Sequence, residues 1–151
     1  MTASSPEALA QKQALSLLKK RVLSSHQLRE KLRASEHDEV VIDKTLGYLC
    51  ECGYLNDQHL IDTLLDKARR ESRGSLWLEQ NLKERQLDGP AGYVAQSTLA
   101  QEEPSLAQAA IGKRYASPMS PADSRRASQY LGRRGFQPET VETIISAACT
   151  P

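Results

Sequence analysis

Apolar residues recur along this chain at three- and four-residue intervals, with charged and amide side chains between them, which is the pattern of amphipathic helices. Ser5-Pro6-Glu7 reads as a helix start, with a capping serine, proline at the first helical position and an acid in the first turn. Leu9, Ala14, Leu17, Leu18 and Val22 form the stripe that follows, and Lys19-Lys20-Arg21 supply the cations that suit a helix C-terminus. Ser24-x-x-Gln27 has capping-box spacing and precedes the apolar pair Leu28 and Leu32. A third helix, roughly Glu39 to Cys52, carries Ile42, Leu46 and Leu49.

Gly53-Tyr54-Leu55-Asn56-Asp57 interrupts this pattern. Gly53 suits the left-handed residue that ends a helix, and Asn56 or Asp57 can cap the next one, with Asp57 the expected cap and Tyr54 and Leu55 expected to pack at the joint. The same order then repeats. A helix from about Asp57 to Glu71, with Leu60, Ile61, Leu64 and Leu65 as its stripe, ends in Arg69-Arg70; a turn carries Ser72-Arg73-Gly74; Leu78 pairs with Leu82; and Gly89-Pro90 opens a helix with Tyr93, Val94 and Leu99. Pro104 reads as the start of another first helix, with Leu106, Ala110 and Ile111, closed by Lys113-Arg114-Tyr115. After the turn Ser117 to Pro121, the helix Ala122 to Arg134 carries Ala127 and Leu131, Gly135 ends it, and Pro138 opens a last helix with Val141, Ile144 and Ile145.

Leu32 and Leu82 lie 50 residues apart and Leu82 and Leu131 lie 49 apart, so the chain reads as an internal repeat. The expected fold is all-α: three tandem three-helix repeats stacked as an elongated, curved helical solenoid, each repeat burying its apolar face partly against its neighbour. The expected boundaries are a disordered segment 1–6 and repeats over 7–55, 56–103 and 104–151.

Composition narrows the class. Hydrophobic residues at 39% and charged residues at 26%, with few aromatics, fit a helical globular protein. The N-terminal residues carry neither a basic run nor an apolar core of a signal peptide, and no apolar run approaches the ~20 residues that span a bilayer, so a cytoplasmic protein is expected. Cys50, Cys52 and Cys149 lack the spacing of a zinc site and are expected to be reduced, half-buried thiols. The net charge of +1 conceals an asymmetry: residues 56–103 hold six Lys/Arg against nine Asp/Glu, and residues 104–151 hold six against three.

Catalysis finds little support. No phosphate-binding glycine loop occurs, and His26, His37 and His59 share no ligand spacing. Neither an enzymatic activity nor a cofactor is expected. What recurs is cationic: Lys20 and Arg21, then Arg69, Arg70 and Arg73, then Lys113 and Arg114, near the ends of corresponding helices, with Arg125, Arg126, Arg133 and Arg134 added in the last repeat. Helix dipoles alone favour such placement by roughly 0.3–1 kcal/mol each. Its threefold recurrence makes these residues the candidate surface for a partner that offers carboxylates or phosphates. Tyr115 and Tyr130 could stack on bases beside these cations, although core packing is the commoner role, and Trp77 is expected to pack between helices.

Three segments together resemble the RecX family, bacterial regulators of the recombinase RecA. They are Leu28-Arg29-Glu30-Lys31-Leu32 after Ser24-Ser25; Gly53-Tyr54-Leu55-Asn56-Asp57 followed by Arg70-x-x-x-Gly74-x-x-x-Leu78-x-x-x-Leu82; and Tyr130-Leu131-Gly132-Arg133-Arg134-Gly135-Phe136 with Val141-x-x-Ile144. The resemblance covers roughly Ala8 to Ala148. Gln27 stands at a usually acidic position, Gln86 stands where the family usually has glycine, and the turn Ser117 to Pro121 is long. The resemblance implies a monomeric, non-enzymatic protein that lies in the groove of the RecA filament on DNA and inhibits ATP hydrolysis, strand exchange and co-protease activity, so modulating recombination and the SOS response. Weak auxiliary contact with DNA is compatible with it. A helix-turn-helix-like DNA-binding protein and a helical adaptor are the alternatives that the residues themselves leave open.

Overall fold

The computed structural model describes residues 5–150, and among them every regular element is an α-helix. Local chemistry sets the helix starts. Ser5 Oγ accepts the Ala8 amide at 3.1 Å ahead of α1 (Pro6–Lys20), and Ser24 forms a complete capping box with Gln27 ahead of α2 (Ser25–Ala34). Asp38 precedes α3 (Glu39–Glu51). Asn56 Oδ1 accepts the His59 amide at 3.0 Å and so caps α4 (Asp57–Glu71). The remaining helices are α5 (Ser75–Glu84), α6 (Pro90–Gly112), α7 (Pro121–Arg133) and α8 (Pro138–Cys149), with proline in the first turn of α6, α7 and α8. Of the expected segment 1–6, Ser5 and Pro6 belong to the start of α1, and residues 1–4 lie outside the described residues.

The chain divides into two compact units. One contains the residues up to Leu60 together with Arg85–Leu87; the other contains Ile61–Glu84 and the residues from Asp88 onward. In the first unit α1, α2 and α3 pack mutually around Ala14, Leu23, Leu28, Leu32, Ile42, Leu46, Leu49 and Leu55. Ion pairs from Arg29 to Asp43 (2.7 Å) and from Arg33 to Glu39 (2.6 Å) run from α2 to α3 on the surface. The Arg33 hydrogen bond holds the Glu39 carboxyl below the usual carboxylate range.

In the second unit α5 packs on α6, and α6 and α7 both pack on α8. Ala107, Ala110, Ile111, Met119, Ala127, Leu131, Phe136 and Ile144 form the core at the C-terminal end, with Tyr115 and Tyr130 half-buried against it. Leu78, Leu82 and Leu99 are fully buried as well.

Several expectations are corrected. Pro104 does not begin a helix: it stands inside the 23-residue α6. Ala100 to Glu103 contain no capping serine, asparagine or glycine, and their helix-favouring side chains carry the helix through the proline, whose missing amide costs one intrahelical bond. The joint at Gly53, which takes φ +81°, thus has no counterpart fifty residues on, where Glu103 is helical. Leu9, Tyr93 and Val94 are exposed on the solvent side of their helices, and Val22 and Tyr54 are exposed in the turns that follow α1 and α3; at the joint Leu55 alone is buried. All three cysteines are exposed, because each lies at or beside a helix C-terminus on the solvent side. The Gln86 turn closes in the form glycine would give: Glu36, Gln86 and Gly135, fifty and forty-nine residues apart, all take left-handed conformations, with φ of 66°, 50° and 88°.

Candidate partner-binding surface

The second unit gathers a group of cations and two aromatic rings around one backbone clasp. Where α4 ends, Ser72 turns the chain with φ 53°, and Gly74 N–H donates to the Arg134 carbonyl at 2.9 Å. Leu76 N–H donates to the Gly135 carbonyl, also at 2.9 Å. The turn between α4 and α5 therefore lies against the turn between α7 and α8. Only glycine admits this approach, since a Cβ on Gly74 would stand 2.4 Å from the Gly135 carbonyl oxygen and one on Gly135 would stand 2.6 Å from the Trp77 amide nitrogen.

Side chains organise around that contact. Lys67 Nζ and the Arg73 guanidinium lie 5.9 and 5.8 Å from the centre of the Trp77 ring. The Arg114 guanidinium covers the Tyr130 ring at 4.3 Å, with Arg134 at 5.8 Å. Such contacts contribute about 0.5–1 kcal/mol each at exposed sites and hold guanidinium groups in place without neutralising them. Arg134 also donates to the Glu71 carbonyl, which satisfies an end of α4.

The eleven cations singled out in the sequence have different surroundings. Lys20 and Arg21 are exposed at the end of α1 in the first unit. Arg69 is committed internally: it donates to both oxygens of Glu102, at 2.8 and 2.9 Å, and to Asp66 at 3.2 Å. That fork holds the Glu102 carboxyl below the usual carboxylate range and raises Arg69 further. Arg134 is likewise engaged, with Glu71 and Tyr130. Arg73 is half-buried, 3.7 Å from Glu71 Oε1. Arg70, Lys113, Arg114, Arg125, Arg126 and Arg133 are exposed, Arg126 with Asp123 3.6 Å away. On α7, Arg126 and Tyr130 share one helical stripe by four-residue spacing, and Arg134, the C-cap residue four further on, continues it.

Trp77 and Tyr130 are both half-buried, joining the packing role expected for them to contact with cations. Glu103 is a functional residue that sequence reasoning misses. The residue is 1% exposed, and its carboxylate accepts from the Ser75 amide (2.9 Å), the Gln137 amide (3.2 Å) and the Thr140 hydroxyl (3.4 Å). These partners lie 28 to 37 residues away, beyond any helical spacing. The one available signal was the proximity of Glu103 to a proline, which falsely suggested a helix boundary. Asp57, expected to cap α4, caps α2 instead: its Oδ1 accepts the Ser25 amide at 2.9 Å.

Two grooves in the second unit are mainly apolar. A groove of about 460 Å³ between α7 and α8 is lined by Phe136, Val141 and Ile145, with Glu142 its one ionisable lining residue. Among the described residues no group of three or more His, Cys, Asp or Glu side chains could hold a metal, and no helix is long and apolar enough to cross a membrane.

Comparison with known proteins agrees with this architecture. The family model for the RecX first three-helix domain matches residues 10–49, the segment that forms α1 to α3. Regulatory protein RecX of Vibrio cholerae serotype O1 is 31% identical over 143 residues, covering 93% of this chain and 94% of the relative. Regulatory protein RecX of Halorhodospira halophila is 31% identical over 140 residues, covering 89% of this chain and 85% of the relative. The crystal structure of RecX from Lactobacillus salivarius superposes with a TM-score of 0.75 over 95% of this chain and 96% of that one, at 18% identity, and so speaks to the fold. A second crystal structure, of regulatory protein RecX, has a TM-score of 0.66 at 15% identity, covering 93% of this chain and 72% of that one. Identity of this level across nine-tenths of both chains means that the chain belongs to the RecX family.

Proposed function

We propose that this chain is a cytoplasmic, non-enzymatic modulator of RecA that binds the RecA nucleoprotein filament in its helical groove as a monomer. There it restrains ATP hydrolysis, strand exchange and co-protease activity, and through them recombination and the SOS response. The observation that carries this reading is the nearly full-length identity to regulatory RecX proteins. The exposed cations of the second unit, Arg70, Arg114, Arg125, Arg126 and Arg133, give it a physical means, since guanidinium groups fork onto carboxylates of a protein surface and onto backbone phosphates alike. The repeats read from the sequence over 7–55, 56–103 and 104–151 are kept as part of this proposal, with the last two sharing the continuous helix α6.

Co-sedimentation with RecA filaments formed on single-stranded DNA tests this reading: the chain pellets with filaments and stays in the supernatant with DNA alone. Recovery in the supernatant in both cases would count against it.

A second reading, direct DNA binding, draws on Arg114 over Tyr130 and Arg73 beside Trp77, because such pairs hold cations where a phosphate backbone could meet them. It requires affinity for naked DNA that falls steeply with salt, with a slope set by the number of phosphates neutralised. A flat salt response removes it.

A further inference from the structure

Glu103 sits where two helices begin. Ser75 is the first residue of α5 and Gln137 the residue before α8, and one oxygen of Glu103 accepts both of their amides while the other faces the Thr140 hydroxyl. Helix N-termini present amides without intrahelical partners and favour negative charge, so this carboxylate answers both needs from a third helix, α6. Gln137 Nε2 donates to Ser75 Oγ at 2.8 Å, which ties the same two helix starts directly. No ion pair is formed by Glu103 among the described residues. The donors around it are amides and a hydroxyl, an environment that an alkyl side chain of similar volume would leave unsatisfied.

The position of this anchor gives it reach. Gly74, one residue before Ser75, and Gly135, two before Gln137, form the backbone clasp. Arg73 and Trp77 flank Ser75 at a distance of two residues on either side, and Arg134 stands three before Gln137. Each is therefore attached by two or three peptide units to an amide that Glu103 holds. The first unit uses the same device on its own: the Asp57 carboxylate, at the start of α4, accepts the amide of Ser25, the first residue of α2, and Ser24 Oγ donates to the Arg85 carbonyl beside it. Ser25 and Ser75 are fifty residues apart, as are Ser24 and Gly74, and Arg85 and Arg134 are forty-nine apart, so these donor and carbonyl positions follow the repeat, whereas the carboxylates Asp57 and Glu103 lie forty-six apart and reach them from different helices.

We infer that Glu103 is the positioning residue of the cation–aromatic surface: by holding the starts of α5 and α8 it sets the placement of Arg73, Trp77 and Arg134 against one another. Arg134 lies against the Tyr130 ring that the exposed Arg114 covers, so Glu103 acts on the partner-facing cations through that stack and does not touch the partner itself. This inference rests on the proposed RecA function for its activity readout alone.

The test uses the full chain carrying Glu103→Ala, Glu103→Asp or Glu103→Gln, with iodide quenching of Trp77, the sole tryptophan, and inhibition of RecA ATPase on single-stranded DNA. Alanine leaves both amides without the carboxylate and aspartate falls one methylene short, whereas glutamine keeps a carbonyl oxygen for the amides and turns its NH2 toward the Thr140 hydroxyl. Glu103→Ala and Glu103→Asp should increase Trp77 quenching and raise the concentration needed for half-inhibition by roughly two- to thirty-fold. Glu103→Gln should restore most of both. Should the alanine variant fail to fold, aspartate against glutamine carries the comparison. Parent-like quenching and inhibition in a folded Glu103→Asp protein would overturn the inference. So would an equal loss of inhibition on Ile42→Val, a core truncation in the first unit, because the effect would then be one of general stability. If the parent chain itself does not inhibit RecA, the functional proposal fails while Trp77 quenching still decides the positioning role.

Discussion

A methyl group added to Gly74 would meet the Gly135 carbonyl oxygen at 2.4 Å, whereas one added to Gly47, inside α3, would meet nothing within 4 Å. Two Gly→Ala substitutions should therefore have opposite signs. Gly74→Ala should lower stability by about 1–3 kcal/mol through forced backbone separation, and Gly47→Ala should raise it by roughly 0.5–1 kcal/mol by reducing backbone entropy in the unfolded chain; urea denaturation midpoints measure both. The Arg69–Glu102 fork makes a prediction in pH. The folded Glu102 pKa lies below its unfolded value, so its contribution to stability is fully present above the ordinary carboxylate range and is lost as pH falls through the lowered folded value. Both side chains are more than a third exposed, which limits the effect to at most about 1 kcal/mol. Arg69→Met should accordingly show a shallower loss of stability between neutral pH and the acid end of the carboxylate range, measured by thermal melts across pH. An acid limb parallel to that of the parent would contradict the role assigned to the pair.

At the scale of helices, sequence patterning carried far because most starts are set by neighbours in sequence. Ser5, Ser24 and Ser120 each accept an amide three residues on, and the buried leucines Leu32, Leu82 and Leu131 keep the register read from their spacing. The misreadings arose where a distant group outweighed a local signal. Pro104 carries a helix-start signal, yet the helix formers before it and the anchoring of Glu102 and Glu103 keep α6 continuous. Asp57 has the form of a local cap, but its carboxylate serves a helix that begins thirty-two residues earlier. Cation clustering was legible by type and place; which cations were occupied was not, since Glu102, Tyr130 and the Glu71 carbonyl are brought to Arg69, Arg114 and Arg134 only by folding. Pro104 remains an intrahelical proline on an exposed position, and proline in a helix interior is less favourable than alanine by about 3 kcal/mol. Pro104→Ala should raise the melting temperature. A lowered one would mean that the proline ring itself is part of the packing of α6.

For the whole molecule, what matters is the division of labour among charges. A net charge of +1 gives little long-range attraction, so association must depend on where cations are concentrated. In the second unit Arg69 and Arg134 are held by protein groups, and Arg70, Arg114, Arg125, Arg126 and Arg133 project from the surface. Glu103 and the Gly74–Gly135 clasp set the turns from which part of that group departs. The chain belongs to the RecX family, and this surface supplies the physical means for the proposed restraint of RecA. The most direct measurement is the rate of DNA-dependent ATP hydrolysis by RecA on single-stranded DNA, with substoichiometric amounts of the parent chain and of a variant carrying Arg70→Glu, Arg125→Glu and Arg126→Glu. The parent should slow hydrolysis, and the variant, with unchanged helical circular dichroism, should slow it less at every concentration. An unchanged rate in the presence of the folded parent chain would contradict the account.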